Sequence, residues 1–221
     1  MGIITLEDIK RDREVDTFIT RGNEFLGKMG FTEHGYRHVN LVAERGYQIL
    51  TELKHSRREA ELVAIAGYLH DIGNVVNREG HSQSGALLAF SILTRLGMPL
   101  PEVATVTAAI GNHDEQSGQA VNNVAAALIL ADKSDVHRSR VRNQEVTTFD
   151  IHDRVNYAVI ESQLRVDEKK RTITMELTIE IQICPVMEYF EIFLTRMIMC
   201  RRAANFLGCR FGLIINDAQL L

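Results

Sequence analysis

The sequence predicts a mainly helical fold with a small C-terminal unit that combines strands and a helix. Residues 7–142 support the helical part, because their apolar side chains recur at roughly helical spacing in one segment after another. Residues 172–183 support the mixed part, because aliphatic and polar residues alternate there with the period of a β-strand. The composition, 45% hydrophobic and 24% charged over 221 residues, is that of an ordinary globular protein.

Glycines and prolines divide the first two thirds of the chain into separate helices. Gly30, Gly73 and Gly97 each follow an apolar stretch and are the expected helix ends. Pro99 and Pro101 then interrupt the chain before the next helix. The predicted helices cover residues 7–29, 34–53, 58–72, 82–96, 102–112 and 121–138.

The pattern changes after about residue 143. A charged turn joins two predicted strands, and Pro185 opens a long helix whose start is acidic and whose end is basic, as the helix dipole favours. Gly208 ends this helix, and a third strand follows it. The predicted order is strand 155–166, strand 172–183, helix 185–207 and strand 209–216. We therefore expect two domains, 1–142 and 143–221, of which the second is an α+β extension with ββαβ order.

The alternating strand needs a covering element, because the aliphatic side chains on one of its faces would otherwise meet water. We expect the helix at 185–207 to cover that face with its aromatic and methionine stripe. On this interpretation the extension is structural or forms a dimer contact, and the chemistry lies before residue 143. A lid or an effector-sensing element is the alternative.

The charge and the cysteines restrict the partners and the compartment. A formal net charge of −4 argues against a broad nucleic-acid surface, and no segment approaches the ~20 apolar residues that a membrane helix needs. Three cysteines without a CxxC pair argue against a disulfide framework and against a thiolate zinc site. We expect a cytoplasmic protein that binds neither a nucleic-acid polymer nor a membrane, and a homodimer stays open.

Polar residues that can bind metals recur at the borders of the apolar helices. His70 and Asp71 end the apolar run LVAIAGYL, where burying an imidazole beside a carboxylate is costly unless a cation satisfies both. A single pair of this kind is more often a capped helix end, and a single buried histidine is more often a satisfied core residue. Five such cases in order are hard to explain by capping alone, because helix packing would bring several of them into one pocket. The five are His38, His70-Asp71, His81, His113-Asp114 and Asp132.

The order H…HD…H…H…D resembles that of the HD-domain superfamily of metal-dependent phosphohydrolases. The segment YLHDIG at residues 68–73 is similar to its HD motif, and DKSD at residues 132–135 is similar to its last-aspartate motif. The resemblance covers roughly residues 30–140. Asn74 stands where members that hydrolyse cyclic dinucleotides commonly have a lysine, and no GYP signature follows His113, which argues against the cyclic-di-GMP branch.

The resemblance implies an HD-type helical bundle that holds one or two divalent transition-metal ions. Asp71 would bridge the two ions, and Asp71 and Lys133 are the implied catalytic residues. Lys133 would neutralise a phosphate, unless it is an ordinary solvated lysine. Ligands rich in nitrogen and free of sulfur suit Fe, Mn, Zn, Co or Ni without choosing among them. The implied ligands are His38, His70, Asp71 and Asp132 for the first ion, and His81 and His113 for the second.

The expected function is hydrolysis of a phosphate ester by a metal-activated water. The expected substrate is a nucleotide or another small phosphorylated metabolite. A catalytically silent signalling or ligand-binding module of the same fold is the first alternative, and an HD-type di-iron oxygenase is the second. Five further basic residues are expected at the surface: Arg37, Arg78, His55, His137 and His152.

Overall fold

A computed structural model describes residues 3–221 and shows a helical body with a small sheet near its C-terminal end. Within this range there are nine α-helices and four strands, so the mainly helical class with an α+β extension is confirmed. None of the helices described in this range is both long and apolar enough to cross a membrane. The helices are α1 (Leu6–Lys10), α2 (Arg13–Lys28), α3 (Tyr36–Glu52), α4 (Arg57–Leu69), α5 (His81–Arg95), α6 (Leu100–Gly111), α7 (Asn123–Lys133), α8 (Ile151–Ala158) and α9 (Val186–Phe206). The strands are β1 (Val159–Asp167), β2 (Thr172–Ile179), β3 (Arg210–Ile215) and β4 (Ala218–Gln219).

The helix predicted over 7–29 is two helices, α1 and α2. Asp12 separates them, because its carboxylate accepts hydrogen bonds from the backbone N–H groups of Glu14 and Val15 and so caps the start of α2. The helix predicted over 121–138 is shorter at both ends, as α7. The other helices predicted in this part of the chain agree with α3, α4, α5 and α6, apart from small differences at their ends.

Helix α7 lies at the centre of the helical body. Its residues from Val124 to Lys133 are all buried, and it packs against α3, α4, α6 and α9. Close packing of α3 on α4 depends on Gly67, since a Cβ there would lie 2.9 Å from the backbone nitrogen of Ala43. Because α7 is central, the charged residues at its C-terminal end are enclosed by other helices.

The C-terminal sheet has the strand order β1-β2-β3-β4. The strands β1 and β2 are antiparallel, while β2 and β3 are parallel and are connected by α9. A parallel pair needs such a crossover, and the predicted ββαβ order contains it. The two-residue β4 extends the sheet beyond the prediction and pairs antiparallel with β3.

Two predicted strand boundaries are wrong. Residues 155–158 belong to α8 rather than to β1, because Asp150 caps that helix by accepting a hydrogen bond from the N–H of Asp153. Strand β2 ends at Ile179, and Ile181 is 56% exposed. The chain turns immediately after β2, so the alternation that continues in the sequence no longer follows the buried face.

Helix α9 contacts the buried face of the sheet, as predicted. The hydroxyl of Tyr189 lies 3.9 Å from the sulfur of Met175, and every second residue of β2 is buried. Helix α9 also packs against α7, which the sequence did not indicate. The extension is therefore joined to the helical body, and the division into domains 1–142 and 143–221 stays a prediction.

Candidate metal centre

Six side chains converge in the interior of the helical body, and all six are buried. They are the six residues that the resemblance implies as ligands, and five helical segments position them. Their binding of a metal stays a prediction. His38 lies in α3, His70 and Asp71 directly follow α4, His81 begins α5, His113 follows α6, and Asp132 lies in the last turn of α7.

Gly73 allows the start of α5 to approach the turn that contains His70 and Asp71. A Cβ at Gly73 would lie 2.0 Å from the carbonyl oxygen of His81 and 2.4 Å from the backbone nitrogen of Gly85. No side chain fits in so small a space, which explains a glycine at this position. The close approach leaves Nε2 of His81 3.6 Å from Oδ1 of Asp71.

The four histidines direct their Nε2 atoms at one another in two pairs. Backbone carbonyl oxygens accept from Nδ1 of His70, His81 and His113 at 2.8, 3.0 and 2.6 Å, and the Asp135 carboxylate accepts from Nδ1 of His38 at 2.6 Å. Because these oxygens can only accept, each Nδ1 carries a hydrogen, and in the neutral form of each ring Nε2 keeps its lone pair. The Nε2 atoms of His38 and His70 are 3.2 Å apart, as are those of His81 and His113.

This spacing fits a metal ion. Two nitrogens bound to one ion at ~2.1 Å, with tetrahedral or octahedral angles, lie roughly 3.0–3.4 Å from each other. The observed separation of 3.2 Å falls in that range for both histidine pairs. Two lone pairs at this distance repel, so each pair requires a proton or a metal ion between its nitrogens.

Asp71 connects the two histidine pairs. Its Oδ2 lies 3.5 Å from Nε2 of His38 and 3.3 Å from Nε2 of His70, while its Oδ1 faces His81. The buried Oδ2 has no hydrogen-bond partner among residues 3–221, which is costly for a carboxylate oxygen. Oδ1 of Asp132 lies 3.4 Å from Nε2 of His38. A cation in this space would satisfy both carboxylates.

The donor atoms form three overlapping groups, and within each group the atoms lie within 4.8 Å of one another. Because the groups share members, the cluster can hold one ion or two neighbouring ions. Asp71 belongs to a group on each side and can bridge them. The groups are His38 with His70 and Asp71, His70 with His113 and Asp132, and Asp71 with His81 and His113.

The charges around the first histidine pair favour a cation. Burial and the nearby Arg140 oppose a charge on His38, but the carboxylates of Asp132, Asp135 and Asp71 outweigh them and raise its pKa to about 10. Carboxylates that hold a proton this firmly would also stabilise a metal ion at the same nitrogen.

The second histidine pair is biased toward the neutral form. Burial, reinforced by His70 and His81, lowers the pKa of His113 well below its usual value. Burial likewise lowers the pKa of His81. Neutral imidazole is the form that binds metals, so both rings are suited to bind an ion near neutral pH.

Asp135 orients His38, a role that the sequence reasoning did not assign. Its carboxylate accepts from Nδ1 of His38 at 2.6 Å and from Nη2 of Arg37 at 2.7 Å, and Arg140 lies 3.6 Å away. Carboxylates behind metal-binding histidines fix the ring orientation. Arg37, expected at the surface, is half-buried in this ion pair. The sequence signal for Asp135 is its position about one helical turn after Asp132.

Lys133 lies inside the site, with its side chain 8% exposed. The interpretation of Lys133 as a solvated residue is therefore wrong. Its ammonium is 2.9 Å from Asp132 and 3.1 Å from Glu115. Glu115 accepts two further hydrogen bonds from Arg196 of α9, at 3.3 and 3.4 Å. Burial opposes a charge on Glu115, but Arg196 and Lys133 lower its pKa to about 2.

The other basic residues expected at the surface differ in position. Arg78 reaches the edge of the cluster, with Nη1 3.9 Å from Oδ1 of Asp71. His152 is exposed. His55 and His137 are partly buried and have hydrogen-bond partners outside the cluster.

The fold and the cluster together define a helical protein with a buried histidine–aspartate centre suited to divalent metal ions. The model of one protein family, the HD domain, matches residues 35–157, which is more than half of the chain. The chain belongs to the HD domain family. The matched range contains all six of the implied ligands and ends within α8.

The chain is similar to one curated protein and to one solved structure. An uncharacterised protein of Methanocaldococcus jannaschii is 26% identical over 158 residues, which are 62% of this chain and 61% of that protein. The aligned part thus spans about three fifths of the length of that relative. The crystal structure of a predicted HD superfamily hydrolase from an uncultured Thermotogales bacterium aligns with 24% identity and a TM-score of 0.44, over 57% of this chain and 68% of that chain.

Proposed function

We propose that this chain is a metal-dependent phosphohydrolase that cleaves a phosphate ester of a nucleotide or another small phosphorylated metabolite. The observation that carries the proposal is the convergence of four histidine Nε2 atoms and the unpartnered Oδ2 of Asp71 beside the buried ammonium of Lys133. Such a centre can hold a metal and receive an anion in the same place. Membership in the HD domain family supports a hydrolase.

The six clustered side chains would hold one or two divalent transition-metal ions. When bound, such an ion would supply Lewis acidity that lowers the pKa of water, so that water loses a proton and hydroxide is available to attack phosphorus near neutral pH. The contribution of the chain is orientation, because the acceptors behind the rings keep every Nε2 directed at the cluster. Asp71 would balance positive charge on both sides of the centre.

Positive charge beside the cluster would neutralise the phosphate. Lys133 is adjacent to the ligand Asp132, and a cavity of about 280 Å³ lies nearby, lined in part by Arg78, Glu115 and Arg196. This volume is near the lower end of the ~300–1,000 Å³ typical of small-molecule sites. The size supports a small phosphorylated substrate over a polymer.

The test is turnover by the purified, metal-loaded protein on a panel of nucleotides and other phosphate esters, followed by chromatography and by release of inorganic phosphate. We expect hydrolysis of at least one class of ester. The activity should disappear in Asp71→Ala and persist in Asp217→Asn, which changes an exposed carboxylate far along the chain.

Two outcomes would contradict the proposal. A metal-loaded protein that binds compounds from the panel but hydrolyses none would favour a silent ligand-binding module. An iron-loaded protein that consumes oxygen in the presence of a substrate and releases no phosphate would favour an oxygenase.

A further inference from the structure

We propose that Arg196, which lies in the C-terminal extension, binds the phosphoryl group of the substrate together with Lys133, and that Glu115 is the internal counter-ion which this group displaces. The inference rests on the proposed function. It assigns a binding residue that lies outside residues 35–157, the range matched by the HD domain model.

The guanidinium of Arg196 is held in place, but its hydrogen-bonding capacity is only partly satisfied. Its side chain is 17% exposed, and its central carbon lies 4.1 Å from the centre of the Phe193 ring. Nε and Nη2 contact Glu115 at 3.4 and 3.3 Å, longer than the ~2.7–2.9 Å of strong charge-assisted bonds. Nη1 has no hydrogen bond to any of the residues described, and the side chain lines the cavity.

The charges around Lys133 and Arg196 favour the binding of an anion. Lys133 contacts Asp132 and Glu115, and Arg196 contacts Glu115. Once Asp132 binds a metal ion, two buried cations share the single carboxylate of Glu115. A phosphoryl group supplies the missing negative charge, and a guanidinium can bind two of its oxygens at once.

The cavity places this anion site between the two parts of the chain. Its wall includes His34 and Arg78 from the helical body, and Phe193 and Arg196 from α9. Two of its lining residues contact residues of the centre: Arg78 lies 3.9 Å from Asp71, and Glu115 lies 3.1 Å from Lys133. The cavity is therefore separated from the clustered side chains by one layer of residues. The extension is thus part of the substrate site, in addition to the structural role that the sequence suggested.

The test is the affinity of the metal-loaded protein for inorganic phosphate, measured by titration calorimetry, with metal content determined on the same samples. We expect Arg196→Gln to weaken phosphate binding at least ~10-fold, which corresponds to the loss of ~1.4 kcal/mol, while metal content stays that of the wild type. The phosphate affinity of Arg196→Lys should lie between those of the wild type and Arg196→Gln. Arg202→Ala, an exposed arginine on the same helix, is the matched control and should bind phosphate as the wild type does.

Removing the charge of Glu115 should change the phosphate affinity in the opposite direction. Glu115→Gln removes the counter-ion but keeps the shape, so phosphate should bind more tightly than to the wild type. A purely structural ion pair would predict no gain. Phosphate affinity unchanged in Arg196→Gln, or reduced in Glu115→Gln as in Arg196→Gln, would overturn the inference.

Ester hydrolysis measured on the same proteins separates this inference from the proposed function. If the wild type and Arg196→Gln hydrolyse esters with the same kcat and KM, the inference fails and the proposed function stands. If phosphate binds through Arg196 but no ester is hydrolysed, the assignment of an anion site to Arg196 stands and the proposed function fails. A metal-loaded wild type that does neither overturns both.

Discussion

Nε2 of His38 lies 3.2 Å from Nε2 of His70 in the centre of the helical body. Both rings donate a hydrogen bond from Nδ1, His38 to Asp135 and His70 to the carbonyl oxygen of Gly67. Two buried lone pairs repel each other at this distance, so a proton or a metal ion must lie between them. The carboxylates of Asp71 and Asp132 beside this pair favour such a cation.

Asp71 should be the residue on which metal retention depends most. Asp71→Ala removes the carboxylate that faces both histidine pairs, so we expect loss of bound metal and of hydrolysis. His113→Ala should be milder if one ion suffices for activity. Metal content measured by plasma mass spectrometry checks both variants, and equal losses would indicate an obligatory pair of ions. Full activity in Asp71→Ala would refute the mechanism.

Asp135 should tune metal affinity without binding metal. In Asp135→Asn the ion pair with Arg37 and the charge behind His38 are lost, while the volume is kept. We expect roughly 10–100-fold weaker metal binding, the usual effect of removing a carboxylate behind a metal-bound histidine. Competition with a chelator measures this affinity, with Asp217→Asn as the control. Wild-type affinity in Asp135→Asn would show that the contact is incidental.

The convergence of the six clustered side chains could be predicted from the sequence because they lie in local motifs at the ends of apolar helices. His70-Asp71 and Asp132 each interrupt an apolar run, and that conflict is visible without a structure. The contact between Glu115 and Arg196 has no such signal. It joins residues 81 positions apart, and it depends on the packing of α9 against α7.

The errors in the extension have a local cause. The alternation predicts a strand through Ile183, because a sequence pattern does not show where the backbone turns away from a sheet. Residues 155–158 include residues that favour strands, but Asp150 caps a helix that extends through them. At these residues the hydrogen bond at the start of the helix therefore outweighs the strand propensity.

Gly73 should not tolerate a side chain. Gly73→Ala places a Cβ 2.0 Å from the His81 carbonyl oxygen, and we expect a loss of ~1–3 kcal/mol in the free energy of unfolding, the usual cost of overpacking. Gly111→Ala is the control, because its Cβ would make an ordinary contact of 3.6 Å with Ala86. Urea denaturation measures both. Equal stability of the two variants would argue against the close approach of α5.

The thiols should be unreactive in the native protein. Cys184, Cys200 and Cys209 are buried and free, and burial raises the pKa of Cys184 to about 11 and that of Cys200 to about 12. A raised pKa leaves very little thiolate, the reactive form, at neutral pH. We expect slow labelling by iodoacetamide at pH 7.5 and complete labelling in guanidinium chloride. Rapid native labelling of Cys200 would contradict the packing of α9.

Anomalous diffraction from crystals of the metal-loaded protein shows whether an ion binds among these side chains. We expect a peak ~2.0–2.2 Å from Nε2 of His38, Nε2 of His70 and a carboxylate oxygen of Asp71. With a second ion, we expect another peak beside His81 and His113. Metal bound elsewhere, with these side chains keeping the positions described here, would contradict the metal centre.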